Sequence, residues 1–502
     1  MDQEDLHCKV LPGVSDHSLV AAQLKLTVSR TLTVEREVWD FSKANWNAAK
    51  ELLAKTDWTC LTLLSGDESA AFFSGRLLEV LALCVPKRKL KEQKQTHPWL
   101  TEEVLTLVAA KQRAKGTAEE TAAARACSEG LLKAYRDYVG RVKRELAELK
   151  PGARKWWSKS RELLELKGKT CNIPALKDTG GNWVTTARGK ADLFVETFSA
   201  KYILHAAEEN EYSFLAEATA VRGGWSLPTE EQAKEVLKAL RADSATGPDL
   251  VPTRLLKECA DELAHPLLLL GKRVLETKRW PEAWVRHWVL PLFKKKEPWA
   301  PTNYRGVHLT SQVSKTVERL LQKSFGSFLS TAESAGMNQF AYRKERGARD
   351  LLALLMLTWL VGIDKGRKYC LYCSDVSGAF DRVKAERLIA KLRKLGVPEA
   401  WAELFSSWLR ERQATVIVGG EHSVAMLLKD MVFQGTVWGP VLWNVFYKDA
   451  QKAVRDAGFW EAVYADDLNA YRDFPAGLRN EDVLAEGKLA KRSYTTGEKP
   501  TR

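Results

Sequence analysis

The sequence predicts an α+β protein, an antiparallel sheet packed on helices and preceded by a mainly helical, basic region. Three observations predict it. From Trp39 to about Lys169 apolar residues recur at spacings of three and four, most clearly at Leu132, Tyr135, Val139, Val142 and Leu146. After about Ser226 short apolar runs of strand length alternate with helical stripes. Turn signals such as Asp178-Thr179-Gly180-Gly181-Asn182 and Thr246-Gly247-Pro248-Asp249 punctuate the chain.

In chain order, the first 27 residues read as short alternating strands that end in the run Leu19–Leu26. The helical region follows, broken at Thr96-His97-Pro98 and Lys150-Pro151-Gly152. Pro252–Gly271 reads as an apolar helix and Trp288–Phe293 as a strand, and helical spacing returns at Val313, Val317, Leu320 and Leu321. Tyr369–Val376 is a strand, with helices over Lys384–Leu395 and Ala400–Glu411. Thr415–Val418 and Ala425–Val432 read as paired strands and Trp438–Ala457 as a helix. Glu461–Tyr471 reads as a hairpin turning at Ala465-Asp466-Asp467.

The chain has 502 residues, enough for two to four domains, and 45% hydrophobic residues, as a globular protein has. No apolar run approaches the roughly 18 residues that a spanning helix needs, so no membrane partner is expected. Met1–Asp5 is acidic without an apolar signal core, which argues against export. The eight cysteines are scattered, with one CxxC at Cys370 and Cys373. That is the usage of a reduced compartment rather than a disulfide framework. Residues 370 and 373 fall on opposite faces of an extended strand, a poor chelate, so both read as core.

The net charge of +13 is concentrated. Pro86–Thr170 holds 21 Lys/Arg against 11 Asp/Glu, and the remainder is close to neutral. A local basic surplus points to a polyanion, most simply nucleic acid, although a solvated helical surface has the same composition. Pro86-Lys87-Arg88-Lys89-Leu90-Lys91 suits a nuclear-import signal or a phosphate-contacting patch equally. Lys155-Trp156-Trp157-Ser158-Lys159 interleaves rings with charges, as stacking on single-stranded RNA requires, but paired tryptophans are more often core.

The sharpest chemical signal is a pair of acids at a turn between apolar strands, Val463-Tyr464-Ala465-Asp466-Asp467-Leu468. About 90 residues upstream the apolar strand Cys370–Ser374 ends in Asp375, and Asp381 follows. A carboxylate ending a central strand is costly unless paired or bound to a cation. Side by side, two such strands would bring Asp375, Asp466 and Asp467 to one point. That hard-oxygen set suits Mg²⁺ rather than zinc. Two such ions can activate a 3′-hydroxyl and stabilise a leaving pyrophosphate.

Tyr464-Ala465-Asp466-Asp467 resembles the YxDD box of reverse transcriptases, and Asp375–Asp381 (DVSGAFD) is similar to their first palm motif. Phe433–Pro440 (FQGTVWGP) resembles their QG[ST]xxGP motif. Ser244–Asp249, Asn303–Leu309 and Asn338–Arg343 resemble finger motifs of the non-LTR (LINE/jockey-type) retrotransposon enzymes. The resemblance covers roughly residues 226 to 471 in matching order.

It implies right-hand polymerase fingers and palm at 241–475, behind a connector at 171–240 and a helical basic linker at 28–170. A truncated, irregular tail at 476–502 would leave the thumb missing. By the same resemblance Asp375 and Asp466 hold two Mg²⁺ ions, with Mn²⁺ as the substitute, the Val376 carbonyl assists, and Asp467 takes the second acidic position. Phe380 occupies the place of the ring that excludes a ribose 2′-OH. Gln434 and Gly435 approach the incoming nucleotide, and Lys294, Arg305 and Arg343 are candidates for gripping its triphosphate.

Template RNA, a primer DNA 3′-end and dNTPs are the implied partners, with no small-molecule cofactor. The implied setting is the nucleus or a cytoplasmic ribonucleoprotein. Val14–Val20 resembles the closing SDHxxV motif of the endonuclease in these elements, so residues 1–27 read as its remnant, with Asp16 and His17 non-functional relics. Gly306 stands where the family usually has proline. A second reading is an inactive or co-opted fragment that only binds nucleic acid. A third, an RNA-copying RNA polymerase, shares the acids, but Phe380 argues against it.

Overall fold

The computed structural model describes residues 6–11, 19–24, 33–93, 99–163, 173–202, 225–376, 378–429 and 431–496. The chain forms two compact units, one from residues 1–43 and 86–170, the other from 44–85 and 171–502.

In chain order, β1 (Leu6–Leu11) and β2 (Leu19–Leu24) form an antiparallel pair, and β3 (Thr33–Trp39) follows. The next two helices, α1 (Trp46–Ala54) and α2 (Gly66–Cys84), belong to the second unit. A capping box between Ser65 and Glu68 starts α2, which buries Phe73, Leu77, Val80 and Leu81.

The chain returns to the first unit as β4 (Lys87–Gln93), antiparallel to β3. The helical expectation is therefore wrong at the basic run. Its alternation lets Lys89 and Lys91 lie opposite Glu37 and Glu35, and Lys87 sits 4.8 Å over the Trp39 ring. Helices α3 (Glu102–Arg113), α4 (Glu120–Glu148) and α5 (Arg154–Leu163) complete this unit, with Trp99 packed on Tyr135 and Tyr138.

The second unit continues with the short pair β5 (Leu176–Lys177) and β6 (Trp183–Val184), closed by the expected turn at Asp178–Asn182. Helices α6 (Ala187–Ser199), α7 (Glu230–Lys238), α8 (Thr253–Glu258) and α9 (Ala260–Thr277) follow. Next come β7 (Arg286–Phe293), β8 (Tyr304–Leu309), α10 (Gln312–Leu329), α11 (Ala332–Ala335), α12 (Ala348–Asp364) and β9 (Arg367–Ser374). The remainder is α13 (Ala385–Lys394), α14 (Glu399–Leu409), β10 (Arg412–Val418), β11 (Glu421–His422), β12 (Met426–Leu428), α15 (Gly439–Asp456), β13 (Trp460–Tyr464), β14 (Asp467–Pro475) and α16 (Asn480–Thr496).

Two sheets position the chemistry. One is mixed, in the order β11-β10-β7-β8 with β12 also on β10, and only β7 and β10 run parallel. The other is antiparallel, in the order β13-β14-β9. Between the helices lies an aromatic core in which Trp280, Trp284, Phe325, Phe405, Trp408 and Trp438 are fully buried. Trp438 touches four of these rings at centroid distances of 4.9 to 5.6 Å, which fixes where α15 begins. No helix among the described residues is long and apolar enough to cross a membrane.

Candidate active site

β9 and β14 place the acids. Ser374, the last residue of β9, pairs with Leu468, so Asp375 follows directly at the end of the ladder where β14 begins with Asp467. Hydrogen-bonded strands lie roughly 5 Å apart, so Asp375 and the Asp466–Asp467 turn stand at the same end of the sheet, close enough for their charges to act on Asp466. Tyr464 pairs with Asp467, leaving Ala465 and Asp466 as a two-residue turn. Asp375 and Asp467 are exposed, whereas Asp466 is half-buried. Burial pushes the Asp466 carboxyl up, the charges of Asp467 and Asp375 push it further, and Arg305 opposes them. A carboxyl held up by burial and by two neighbouring negative charges would gain from a nearby cation.

Among the described residues no group of three or more Asp, Glu, His or Cys side chains is placed to hold a metal ion. Mg²⁺ needs none, since it keeps waters and takes one or two carboxylates together with substrate phosphates. The oxygen chemistry of one or two of these carboxylates, Asp375 and Asp466, suits such an ion.

Behind the acids stands a column of rings. Phe380 is buried, stacks on Trp443 at 5.5 Å and meets Tyr342 edge-on at 6.2 Å. Trp443 in turn stacks on Tyr447 at 4.9 Å. Trp443 Nε1 donates to the Ala465 carbonyl (3.1 Å) and the Tyr447 hydroxyl to the Asp466 carbonyl (3.2 Å), so the column also ties down the acidic turn. Tyr342, half exposed, has its hydroxyl pushed up by burial and by the neighbouring Asp466 charge.

The loop of Gln434 and Gly435 is held from three sides. The Val432 amide donates to the Phe380 carbonyl (2.9 Å) and the His308 amide to the Gln434 carbonyl (3.2 Å). Gly435 has φ +104°, and a Cβ there would stand 2.7 Å from the His308 carbonyl oxygen, so only glycine fits. The third hold is Glu318, fully buried on α10, which accepts from the amides of Val437 (2.7 Å) and Trp438 (3.2 Å). A carboxylate at the N-terminus of α15 satisfies donors that the helix leaves open.

The hairpin of β7 and β8 brings two of the expected cations together. Leu292 pairs with Arg305, which makes Lys294 and Arg305 diagonal neighbours on one face. Both lower the Asp381 carboxyl, as does Lys201 from the end of α6, yet burial wins and pushes it up to about 6. Lys201 was not singled out in the sequence. It donates to the Thr302 carbonyl at 3.5 Å, within the loop of the same hairpin. Arg343 lies elsewhere in its bonding: one nitrogen donates to the carbonyls of Gly336 (2.9 Å), Met337 (3.5 Å) and Gln339 (3.5 Å), which braces that loop.

Ser244–Asp249 acts through backbone packing. A Cβ on Gly247 would stand 2.3 Å from the Thr310 carbonyl oxygen, and the Ser311 hydroxyl donates to Asp249 at 2.5 Å, which locks the turn onto the start of α10. Val376 directly follows Asp375 in the described chain, while Asp16 and His17 lie outside the described residues. Trp156 and Trp157 meet at 4.8 Å, and Trp157 is 54% exposed, so it is not core. The core reading also fails for Cys373, which is exposed because β9 is an edge strand with one face open, as the 44% exposure of Leu371 shows.

Residues 293–486 match the model of the family described as reverse transcriptase (RNA-dependent DNA polymerase). The chain is similar to the RNA-directed DNA polymerase from mobile element jockey of Drosophila funebris, 27% identical over 62% of this chain and 35% of that protein. Its counterpart in Drosophila melanogaster is 24% identical over 83% of this chain and 47% of that one. The probable RNA-directed DNA polymerase from transposon BS of Drosophila melanogaster is 26% identical over 58% of this chain and 33% of that protein. The chain thus spans between a third and a half of the length of these three relatives.

Proposed function

We propose, from the premise that residues 293–486 are a reverse-transcriptase domain of the LINE/jockey type, that this chain extends a primer DNA 3′-end with dNTPs on a template RNA. The observation that supports the reading is the register of β9 on β14, which ends at Ser374 and Leu468, next to Asp375 and to the turn of Asp466 and Asp467. In this reading β13, β14 and β9 are the palm, and the β7–β8 hairpin belongs to the fingers.

Asp375 and Asp466 would hold two Mg²⁺ ions, with the Val376 carbonyl and Asp467 completing the oxygen donors and Mn²⁺ as the substitute. When bound, such ions lower the proton affinity of the attacking 3′-hydroxyl and neutralise the leaving pyrophosphate. The rest is done by the chain itself. Lys294 and Arg305 share a face and supply fixed positive charge for the triphosphate. Lys201 stands at the same hairpin. Gly435 lets backbone approach the nucleotide, and Gln434 offers its amide. Phe380, packed between Tyr342 and Trp443, cannot retreat from a ribose 2′-OH and offers that group no hydrogen bond.

Primer extension on poly(rA)/oligo(dT) with Mg²⁺ and dTTP tests the reading. Extension by the chain, abolished in Asp466→Ala, supports it. Nanomolar RNA binding without extension would replace it with the second reading, a nucleic-acid-binding fragment, for which the basic surplus of residues 86–170 is the supporting observation.

A further inference from the structure

We infer that Gln339 is a positioning residue for the acidic turn: its side-chain amide holds Ala465 in the left-handed conformation that presents Asp466 and Asp467. The inference rests on the nucleotide-adding reading for its functional meaning, but its structural content stands alone.

Ala465 has φ +61°, a region that glycine enters freely and that a residue with a Cβ enters only under constraint. Such a conformation persists where the surroundings over-determine it. Gln339 supplies that determination from 126 residues away in sequence. Its Oε1 accepts from the Ala465 amide (2.9 Å) and its Nε2 donates to the Ala465 carbonyl (3.1 Å), so one side chain takes both polar groups of the strained residue.

The amide has one workable orientation. Oε1 also accepts from the Ala341 amide at 3.0 Å, and a flipped amide would set N–H against two N–H groups and oxygen against a carbonyl. Gln339 is fully buried, with no water to substitute for a lost partner. Its backbone is pinned to the strand that leads into the turn. The Phe340 amide donates to the Val463 carbonyl (2.9 Å) and the Val463 amide to the Asn338 carbonyl (3.0 Å). Residues 338–340 therefore act as a short parallel strand on β13 whose central side chain reaches over the turn.

No other common side chain repeats this. Met has the shape but neither partner. Glu keeps an acceptor for the Ala465 amide but turns a second oxygen on the Ala465 carbonyl, beside Asp466. Glycine at 465 would need the clamp least, because it enters the conformation unaided.

The test uses the full chain in four forms, wild type, Gln339→Met, Gln339→Glu and Gln339→Met with Ala465→Gly, each checked for folding by circular dichroism. Amide hydrogen exchange at residue 465 reads the clamp directly, and single-nucleotide extension across a Mg²⁺ titration reads its consequence. In Gln339→Met the Ala465 amide should exchange at least 100-fold faster. Its kcat should fall at least 30-fold at an almost unchanged KM for dTTP, with half-saturation by Mg²⁺ about ten-fold higher. Adding Ala465→Gly should recover at least ten-fold of the lost kcat. Gln339→Glu should keep amide protection yet extend poorly.

Unchanged exchange at residue 465 in Gln339→Met overturns the inference, as does a kcat that glycine at 465 fails to restore. Should Gln339→Met not fold, loss of protection in Gln339→Glu overturns it. If wild type does not extend primers while exchange responds as stated, the nucleotide-adding reading fails and the clamp survives.

Discussion

Replacing Glu318 with alanine should be among the most damaging single changes in the second unit. The carboxylate accepts from the Val437 and Trp438 amides and from Trp408 Nε1 at 3.3 Å, and the Ser314 hydroxyl is 3.5 Å away. Glu318, Trp408 and Trp438 are fully buried and the Val437 amide is partly so, which leaves these groups little solvent to turn to. Each stranded buried donor costs about 1–3 kcal/mol, so three N–H groups give roughly 4 kcal/mol or more. The buried guanidinium of Arg412 loses a favourable charge as well. Burial lowers its proton affinity to a pKa of about 9, and Glu318 is the charge that opposes the fall.

Ordinary domains are stable by only about 5–15 kcal/mol, so Glu318→Ala should sit near the unfolding threshold. Urea denaturation followed by tryptophan fluorescence measures it, since Trp408 and Trp438 are reporters in contact with the site. Glu318→Gln, which keeps shape and one acceptor, should cost less than half as much. A Glu318→Ala midpoint equivalent to less than 1 kcal/mol of lost stability would refute the reasoning, because the loop amides would then have found other partners.

Four further outcomes follow from the same geometry. Phe380→Ala should admit ribonucleotides, raising the rNTP-to-dNTP ratio of kcat/KM at least ten-fold in a single-nucleotide assay, and an unchanged ratio would remove Phe380 from the gate. For Asp381, the folded pKa of about 6 exceeds the ordinary 3.8, so the folded state binds the extra proton between those values and stability falls as pH rises through that window. Asp381→Asn should therefore be more stable than wild type at pH 7.5, by up to roughly 3 kcal/mol at 1.36 kcal/mol per unit, with the gap closing by pH 4 in thermal melts. Gly435→Ala should lower kcat/KM at least 100-fold, since a Cβ collides with a backbone oxygen rather than a movable side chain. Replacing the exposed Lys133, Arg136, Lys143 and Arg144 with Gln should flatten the salt dependence of RNA binding by about 0.7 for each lost phosphate contact, and an identical slope would place the RNA elsewhere.

Local patterns made much of the site legible in the sequence. The apolar run into Asp375 and the hairpin around Asp466 are each written within about a dozen residues, and β9, β13 and β14 appear where those runs lie. What stayed hidden depends on pairing across long separations. The basic run at residues 87–93 looks like a charged helix until Glu35 and Glu37 are placed opposite it. The parallel pairing of β7 with β10 has no local signature. Gln339, Glu318 and Lys201 are single polar residues whose meaning comes from partners about 100 or more positions away. Burial of polar side chains was the missing signal, and a sequence shows it only as an amide or acid inside an apolar stripe. Glu318 beside Val317, Leu320 and Leu321 is such a case.

Mn²⁺ binding followed by electron paramagnetic resonance tests the central claim most directly, because it reads the shared carboxylate site without requiring turnover. The chain should bind Mn²⁺ measurably alone and at least ten-fold more tightly with dTTP and primer-template present. Both effects should vanish in Asp375→Asn and in Asp466→Ala, and on acidification the affinity should weaken at a higher pH than an ordinary carboxylate would require, as the raised Asp466 carboxyl takes up its proton. Mn²⁺ affinity indifferent to both substitutions, or indifferent to dTTP, would contradict the assignment of Asp375, Asp466 and Asp467 to nucleotide addition.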